Sequence, residues 1–298
     1  MSDRTRTSDE LMGHVLRMMS QVEHAAAFGA HLRGRTETLA IPTEVAGAID
    51  HLAGSSFPGL DALPAEALLQ AKGALIALFR QAADLLEHPD RAPGWLTDDP
   101  IVLQAQGRAS AVVADLLSTV APGLEGLAER LSSGGAFCDV GTGVGWLAMR
   151  AARHWPEARI VGLDLDTRPL ELARSNLAAE GMAERVELRQ LDICTLSGEA
   201  FDLVWLPGPF LPRSIVPEAI ACASRNLRAG GWIAFGTFGA PPDPVAQAMS
   251  DLRTVRAGGY PWSAAELGDL LTGAGLIDVS PVERTWQAPL ELVVGRAP

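Results

Sequence analysis

The stretch Phe137-Cys138-Asp139-Val140-Gly141-Thr142-Gly143-Val144-Gly145-Trp146-Leu147 reads as the end of a buried strand, a tight glycine turn and the opening of a helix. Glycine admits positive φ and lets a ligand lie against bare main chain. Three glycines at alternate positions, directly after an apolar strand, describe a loop shaped around a nucleotide-like ligand. A dinucleotide fingerprint, G-x-G-x-x-G, would place its third glycine where this chain has Trp146. A bulky indole there obstructs the open helix N-terminus that a pyrophosphate needs. That residue argues against a nicotinamide dehydrogenase.

Downstream, short apolar runs alternate with helical ones. Residues 159–164 form a second strand closing on Asp164, nineteen positions beyond Gly145. A carboxylate at that place suits a ribose diol, because it accepts two hydrogen bonds at once. A helix-capping role for Asp164 is the plainer alternative, but Asp166 and Thr167 are better placed for it. Residues 167–180 carry Leu170, Leu172, Ala173 and Leu177 at helical spacing, with Gly181 as the stop. Further strands are expected over 186–191, 201–206, 232–236, 276–281 and 290–295. Helices are expected over 147–154, 217–227 and 244–256, and over 263–272 behind the capping box Ser263-Ala264-Ala265-Glu266. Strand–helix alternation implies an α/β fold, a mostly parallel sheet covered on both faces. Ligands in such sheets sit at the carboxyl ends of the strands. The glycine turn, Asp164, Asp192 and the segment 205–210 all fall there.

The first part of the chain reads as helical: 9–32, 42–52 and 64–86, then a helix opened by Thr97, Asp98 or Asp99 and Pro100. In the first of these, Leu11, Val15, Met18, Met19, Val22 and Ala26 recur at helical spacing. Core packing is the plainer reading of that stripe, and a binding or dimer face the sharper one. The expected division is a helical region over 1–130, roofing a substrate or mediating a homodimer, and an α/β domain over 131–298.

The 298 residues carry 36 acidic and 24 basic side chains, a formal charge of −12. All the basic residues but Lys72 are arginine. Such a balance argues against nucleic-acid phosphate or an anionic membrane as partner. Three widely spaced cysteines, Cys138, Cys194 and Cys222, with no C-x-x-C pair, suggest neither a disulfide framework nor a zinc site, so no metal is expected. The polar first ten residues lack an apolar signal region and no long apolar run appears, so a cytoplasmic protein is expected.

Residues 136–298 resemble the class I S-adenosylmethionine (SAM)-dependent methyltransferases. The resemblance rests on Asp139-Val140-Gly141-Thr142-Gly143-Val144-Gly145, Gly162-Leu163-Asp164, Leu191-Asp192-Ile193, Phe201-Asp202-Leu203-Val204 and Leu227-Arg228-Ala229-Gly230-Gly231-Trp232. It implies a seven-stranded Rossmann-like sheet whose last strand is antiparallel. It also implies SAM as cofactor and S-adenosylhomocysteine as product. By that resemblance Gly141, Thr142, Gly143 and Gly145 lie against the methionine end, Asp139 helps place the ammonium, and Asp164 holds the ribose. Leu165 covers the adenine, and Asp192 and the Ile193 N–H face its edge. The SAM carboxylate needs a cation, for which Arg108, assisted by Gln104, is the candidate.

The end of the fourth strand, Leu206-Pro207-Gly208-Pro209-Phe210, sits where amide- and base-methylating relatives carry Asn-Pro-Pro-Tyr. Pro207 removes the side chain that would hold an NH₂ acceptor. With the acidic charge, this favours a small, partly apolar acceptor methylated on O or N over nucleic acid or protein glutamine. None of the six histidines falls in the loops after this strand, so no general base is evident. Alignment in a dry pocket suffices for transfer from a sulfonium. Trp95, Trp205, Pro207, Phe210 and Tyr260 are the candidates for acceptor contact, with 258–262 as a lid. A SAM-binding protein without transfer, a sensor or cyclase-like enzyme, is the alternative.

Overall fold

Unbroken burial along β1 (Ala136–Val140) marks it as an inner strand of a seven-stranded sheet. The computed structural model describes residues 7–94, 99–239 and 241–298. The other strands are β2 (Arg159–Asp164), β3 (Val186–Gln190), β4 (Phe201–Pro207), β5 (Leu227–Phe238), β6 (Ile277–Pro281) and β7 (Leu290–Arg296). They lie in the order β3-β2-β1-β4-β5-β7-β6. The first five run parallel, and β7 is antiparallel to both β5 and β6. The expected Rossmann-like sheet is therefore present. Strand order reverses between β1 and β4, so the switch point lies where Asp139 sits level with Trp205.

Helices cover both faces, since a doubly buried parallel sheet needs apolar cover on each side. On one face α4 (Pro100–Val120) and α6 (Trp146–His154) share a core through Leu103, Leu116, Leu117, Leu147 and Met149. On the other, α8 (Val216–Arg225) and α10 (Ala264–Gly273) pack Val216, Ile220, Leu267 and Leu271 beneath Val204, Leu206 and Phe235. The intervening α7 (Thr167–Ala179) is capped by Asp166, whose side chain accepts from Arg168 N, and α9 spans Pro244–Arg256. The capping box at Ser263 and Glu266 forms as expected. The Asp99 cap, with Pro100 in the first helical position, also forms.

The chain divides into two compact units between Pro89 and Asp90, and not near residue 130. The physical reason is α4. It contains Gly107, where an added Cβ would lie 2.2 Å from Val144 Cγ2. The helix is thus seated against the glycine turn, and the short α5 (Leu127–Ser132) follows it into the same core.

The first unit holds α1 (Ser8–Thr36), α2 (Thr43–Ser56) and α3 (Ala65–Glu87). Its core is small: Leu32, Ala53, Leu60 and Leu68, with Phe28 and Leu75 beside them. The Met-bearing stripe of α1 is not in that core. Leu11, Val15, Met18, Met19, Val22 and Ala26 are all exposed, so core packing is corrected. Only Gly29, His31 and Leu32, at the end of α1, are buried.

A second correction concerns the cysteines. Cys194, between β3 and β4, and Cys222, on α8, form a disulfide. Their separation of 28 residues conceals the pairing, which arises because the crossover returns α8 beside the preceding loop. Among the described residues, no helix is long and apolar enough to cross a membrane.

Candidate active site at the switch point

The glycine turn has the conformation that its composition demands. Gly141, Gly143 and Gly145 have φ of 69°, 56° and 82°, a region that other residues reach at a cost. Each glycine also has its own neighbour. A Cβ at Gly145 would lie 3.2 Å from Ala173 Cβ, so this glycine lets α7 approach. A Cβ at Gly143 would meet only Gly141 O, at 3.9 Å, so bare main chain faces open space there. Gly141 instead faces Pro207, whose Cγ is 3.4 Å from the added Cβ position. The turns after β1 and β4 therefore touch.

Two carboxylates hold this turn. Thr142 Oγ1 donates to Asp139 Oδ2 at 2.8 Å, and both residues are buried. Burial pushes the Asp139 carboxyl up to about 7. The Thr142 hydroxyl opposes that shift, and the nearby Asp164 adds to it. Gly143 N donates to Asp164 Oδ2 at 2.8 Å, and Asp166 N to Asp164 Oδ1 at 3.0 Å. Burial raises the Asp164 pKa, against the pull of the backbone N–H groups of Asp166, Gly143 and Leu165. Each Asp164 oxygen keeps acceptor capacity for a further donor. Beside it Leu165 is 65% exposed, a large apolar side chain at the carboxyl end of β2. Farther along the edge, Asp192 Oδ1 accepts from Cys194 N at 2.8 Å, which folds Asp192, the buried Ile193 and Cys194 into one turn.

The chemistry of this set decides its ligand class. A bare glycine backbone, an exposed leucine and three carboxylates suit a ribose diol, an ammonium group and an adenine edge. They repel phosphate. The residues fit the nucleoside and amino-acid parts of SAM.

Gln104 and Arg108 both meet Trp146. Trp146 Nε1 donates to Gln104 Oε1 at 2.8 Å, and Gln104 Nε2 donates to Asn176 Oδ1 at 2.9 Å. Asn176 Nδ2 in turn donates to Val144 O at 2.9 Å. Gln104 thus ties α4 to the glycine turn and α7. The Arg108 guanidinium lies 3.8 Å from the Trp146 ring centre, a cation–π stack at the start of α6. Sequence reasoning missed Asn176 and Gly107. A glycine inside an otherwise good helix was the available signal for Gly107, since it disfavours the helix unless something approaches closely.

The turn after β4 is packed and not polar. Gly208 to Phe210 make one helical turn, and a Cβ on Gly208 would lie 2.2 Å from Phe235 Cε1. A Cβ on Gly259 would lie 2.0 Å from Pro209 O. Trp262 O accepts from Thr237 Oγ1 at 3.1 Å. The 258–262 segment, expected as a lid, is therefore anchored to the β4 turn and β5. Tyr260 and Trp262 meet edge-on at 4.7 Å, and the Arg213 guanidinium lies 4.3 Å from the Tyr260 ring. Phe210 stands edge-on to Phe238 at 6.4 Å. Trp205 is corrected: only 4% exposed, it lies in the core with Trp232 and Leu292, where a Cβ on Gly236 would reach its ring at 2.1 Å. Trp95 lies outside the described residues.

Residues 137–231 match the family described as a methyltransferase domain. That match runs from β1 into β5 and takes in the glycine turn, Asp164 and Asp192. Over 132 residues it is 31% identical to the U6 snRNA (guanine-N(2))-methyltransferase of Bos taurus, spanning 42% of this chain and 26% of that protein. The chain thus covers about a quarter of the length of that relative. Whole-chain likeness is structural. An O-methyltransferase family protein from Burkholderia thailandensis superposes with a TM-score of 0.67 at 17% identity, covering 98% of this chain and 99% of that one. Human N-acetylserotonin methyltransferase, solved in complex with SAM, gives 0.63 at 14% identity over 100% and 99%. At these identities the likeness is one of fold.

Proposed function

We propose that this chain transfers the methyl group of SAM to a small, partly apolar acceptor. The observation that carries the reading is the contact between two unlike turns at the switch point. One is glycine-rich and carboxylate-lined, and the other, beside it through Gly141 and Pro207, is built of proline and aromatic side chains. When bound, SAM supplies an electrophilic methyl on a sulfonium. Asp164 accepts the ribose hydroxyls, Leu165 covers the adenine, and Asp192 with the Ile193 N–H receives its edge. Gly141, Thr142, Gly143 and Gly145 bound the methionine end, with Asp139 toward the ammonium, while Leu206, wholly buried against α8 and α10, packs in the core. Arg108, held over Trp146, takes the carboxylate, and Gln104 positions Trp146.

Pro207, Phe210 and Tyr260 face the acceptor, aligning it and excluding water, which is how positioning lowers the barrier of a displacement. The O-methyltransferase and N-acetylserotonin methyltransferase neighbours support a small-molecule acceptor. The RNA-modifying relative matches only part of this acidic chain. Incubation with SAM and a panel of phenols, hydroxy acids and amines tests the reading. Production of S-adenosylhomocysteine with one of them supports it. Tight cofactor binding with no product from any acceptor, RNA or protein favours a sensor.

The exposed apolar face of α1 further supports a homodimer through the N-terminal helices, because soluble monomers seldom leave such a stripe uncovered. Light scattering reads this directly. A dimer that Met18→Glu converts to monomer supports it, and a monomer at all concentrations removes it.

A further inference from the structure

The Cys194–Cys222 pair lies outside every role assigned above, yet it is joined to the turn that would receive adenine. Cys194 directly follows Asp192 and Ile193, and its N–H donates to Asp192 Oδ1 at 2.8 Å. Thr195 N and Oγ1 both donate to Asp192 O at 2.9 Å. The turn is thus a local hydrogen-bonded knot, and the disulfide is its covalent tie to α8. The two sulfurs differ. Cys222 is fully buried, and Arg225 Nη2 approaches its Sγ at 3.1 Å. Cys194 is half-exposed.

We propose that Cys194–Cys222 is a thiol–disulfide exchange site that sets the affinity of the adenine-side turn for its nucleoside. The coupling rests on the SAM reading of that turn. The attacking group is a small-molecule thiolate, and the asymmetry of the pair directs it. The thiolate attacks the accessible Cys194 Sγ and forms a mixed disulfide there. The Cys194–Cys222 bond breaks, and Cys222 leaves with the electron pair as a thiolate beside the Arg225 guanidinium, which favours it as leaving group. A second small thiolate attacks the outer sulfur of the mixed disulfide and releases Cys194. The net change is one protein disulfide and two small thiols to one protein dithiol and one small disulfide. Reoxidation is the reverse, with a small-molecule disulfide as oxidant. Reduction removes the covalent tie to α8 and leaves the 191–196 turn held by its hydrogen bonds and by the burial of Ile193 and Leu196, so the placement of Asp192 loosens.

The test uses the full chain, with S-adenosylhomocysteine as the probe and two further readouts. Mass spectrometry after alkylation counts free thiols, and hydrogen exchange follows residues 191–196. On reduction the thiol count is expected to rise from one, Cys138, to three. Exchange in the turn should speed up, and the dissociation constant should rise roughly tenfold, reverting on treatment with oxidised glutathione. Cys194→Ser should hold the weak state under both conditions. Unchanged exchange on reduction, or unchanged affinity where the probe binds, overturns the proposal. So do three free thiols after oxidised glutathione. Stoichiometric zinc retained by the dithiol also overturns it, since Cys194, Glu218 and Cys222 place their ligand atoms within 4.8 Å of one another. If the probe binds in neither state, the cofactor reading fails and the coupling with it, while exchange and thiol count still decide whether the pair is a redox device.

Discussion

The two turns that meet at the switch point work by opposite means. The turn after β1 presents main chain and carboxylates, with positive φ at three glycines and open space at Gly143. The turn after β4 presents little but packed surface: Gly208 against Phe235, Gly259 against Pro209, Phe210 edge-on to Phe238. Binding a diol and an ammonium demands a few polar atoms in fixed places. Admitting an apolar acceptor demands shape. The first turn should therefore be sensitive to charge and pH, and the second to volume.

Asp139 is the severest probe of that contrast. Its carboxyl is raised to about 7 in the folded protein, against an ordinary value near 4 in the unfolded chain. A folded-state acid with a raised pKa contributes stability that is full below pH 4 and is lost as pH rises through 7. The expected loss in the ligand-free protein is about 4 kcal/mol across that window. Thermal melts of wild type against Asp139→Asn check it: the variant should show a much flatter profile between pH 4 and 8. A wild-type profile equally flat removes the shift.

Asp164→Ala follows. Loss of both acceptors for the diol should weaken S-adenosylhomocysteine binding about a hundredfold, roughly 3 kcal/mol, in calorimetry. Equal affinity would withdraw the ribose assignment. On the packed side, Gly208→Ala should cost about 2 kcal/mol in denaturant unfolding, because its Cβ has no room beside Phe235 and the Gly236 carbonyl. It should also impair turnover more than cofactor affinity. If it shifts cofactor binding alone, the division of labour between the turns is wrong. The smallest effect is expected from Tyr260→Phe, which keeps the ring contact with Trp262. Acceptor KM should change about threefold or less if Tyr260 acts by shape, since one partly exposed hydroxyl contributes about 1 kcal/mol at most. A much larger loss of kcat would reveal proton-transfer chemistry at that hydroxyl.

The polar turn was the more legible of the two. Alternate glycines, an acid ending β2 and an acid after β3 are local patterns, and each lies where its spacing suggested. Trp205 was misplaced because β4 is buried along its whole length, and its sequence does not say which residue meets a ligand and which meets the core. Packing on Gly236, a residue of β5, decides it. The α1 stripe reads identically whether buried or exposed, and only its exposure among the described residues distinguishes the two. Gln104 was assigned as a ligand residue, but Trp146 and Asn176 engage its amide, and Asn176 is far away in sequence.

Sequence alone determined the α/β class, the strand sequence and the glycine–carboxylate turn. Those features rest on short-range stereochemistry: periodicity, caps and the φ values that only glycine takes freely. Tertiary structure alone decided what crosses between elements. The seating of α4 on the turn through Gly107, the Cys194–Cys222 disulfide and the packing of Gly259 on Pro209 each depend on segments brought together by the parallel crossovers. No local pattern encodes such distances, because they are set by how helices settle on a twisted sheet.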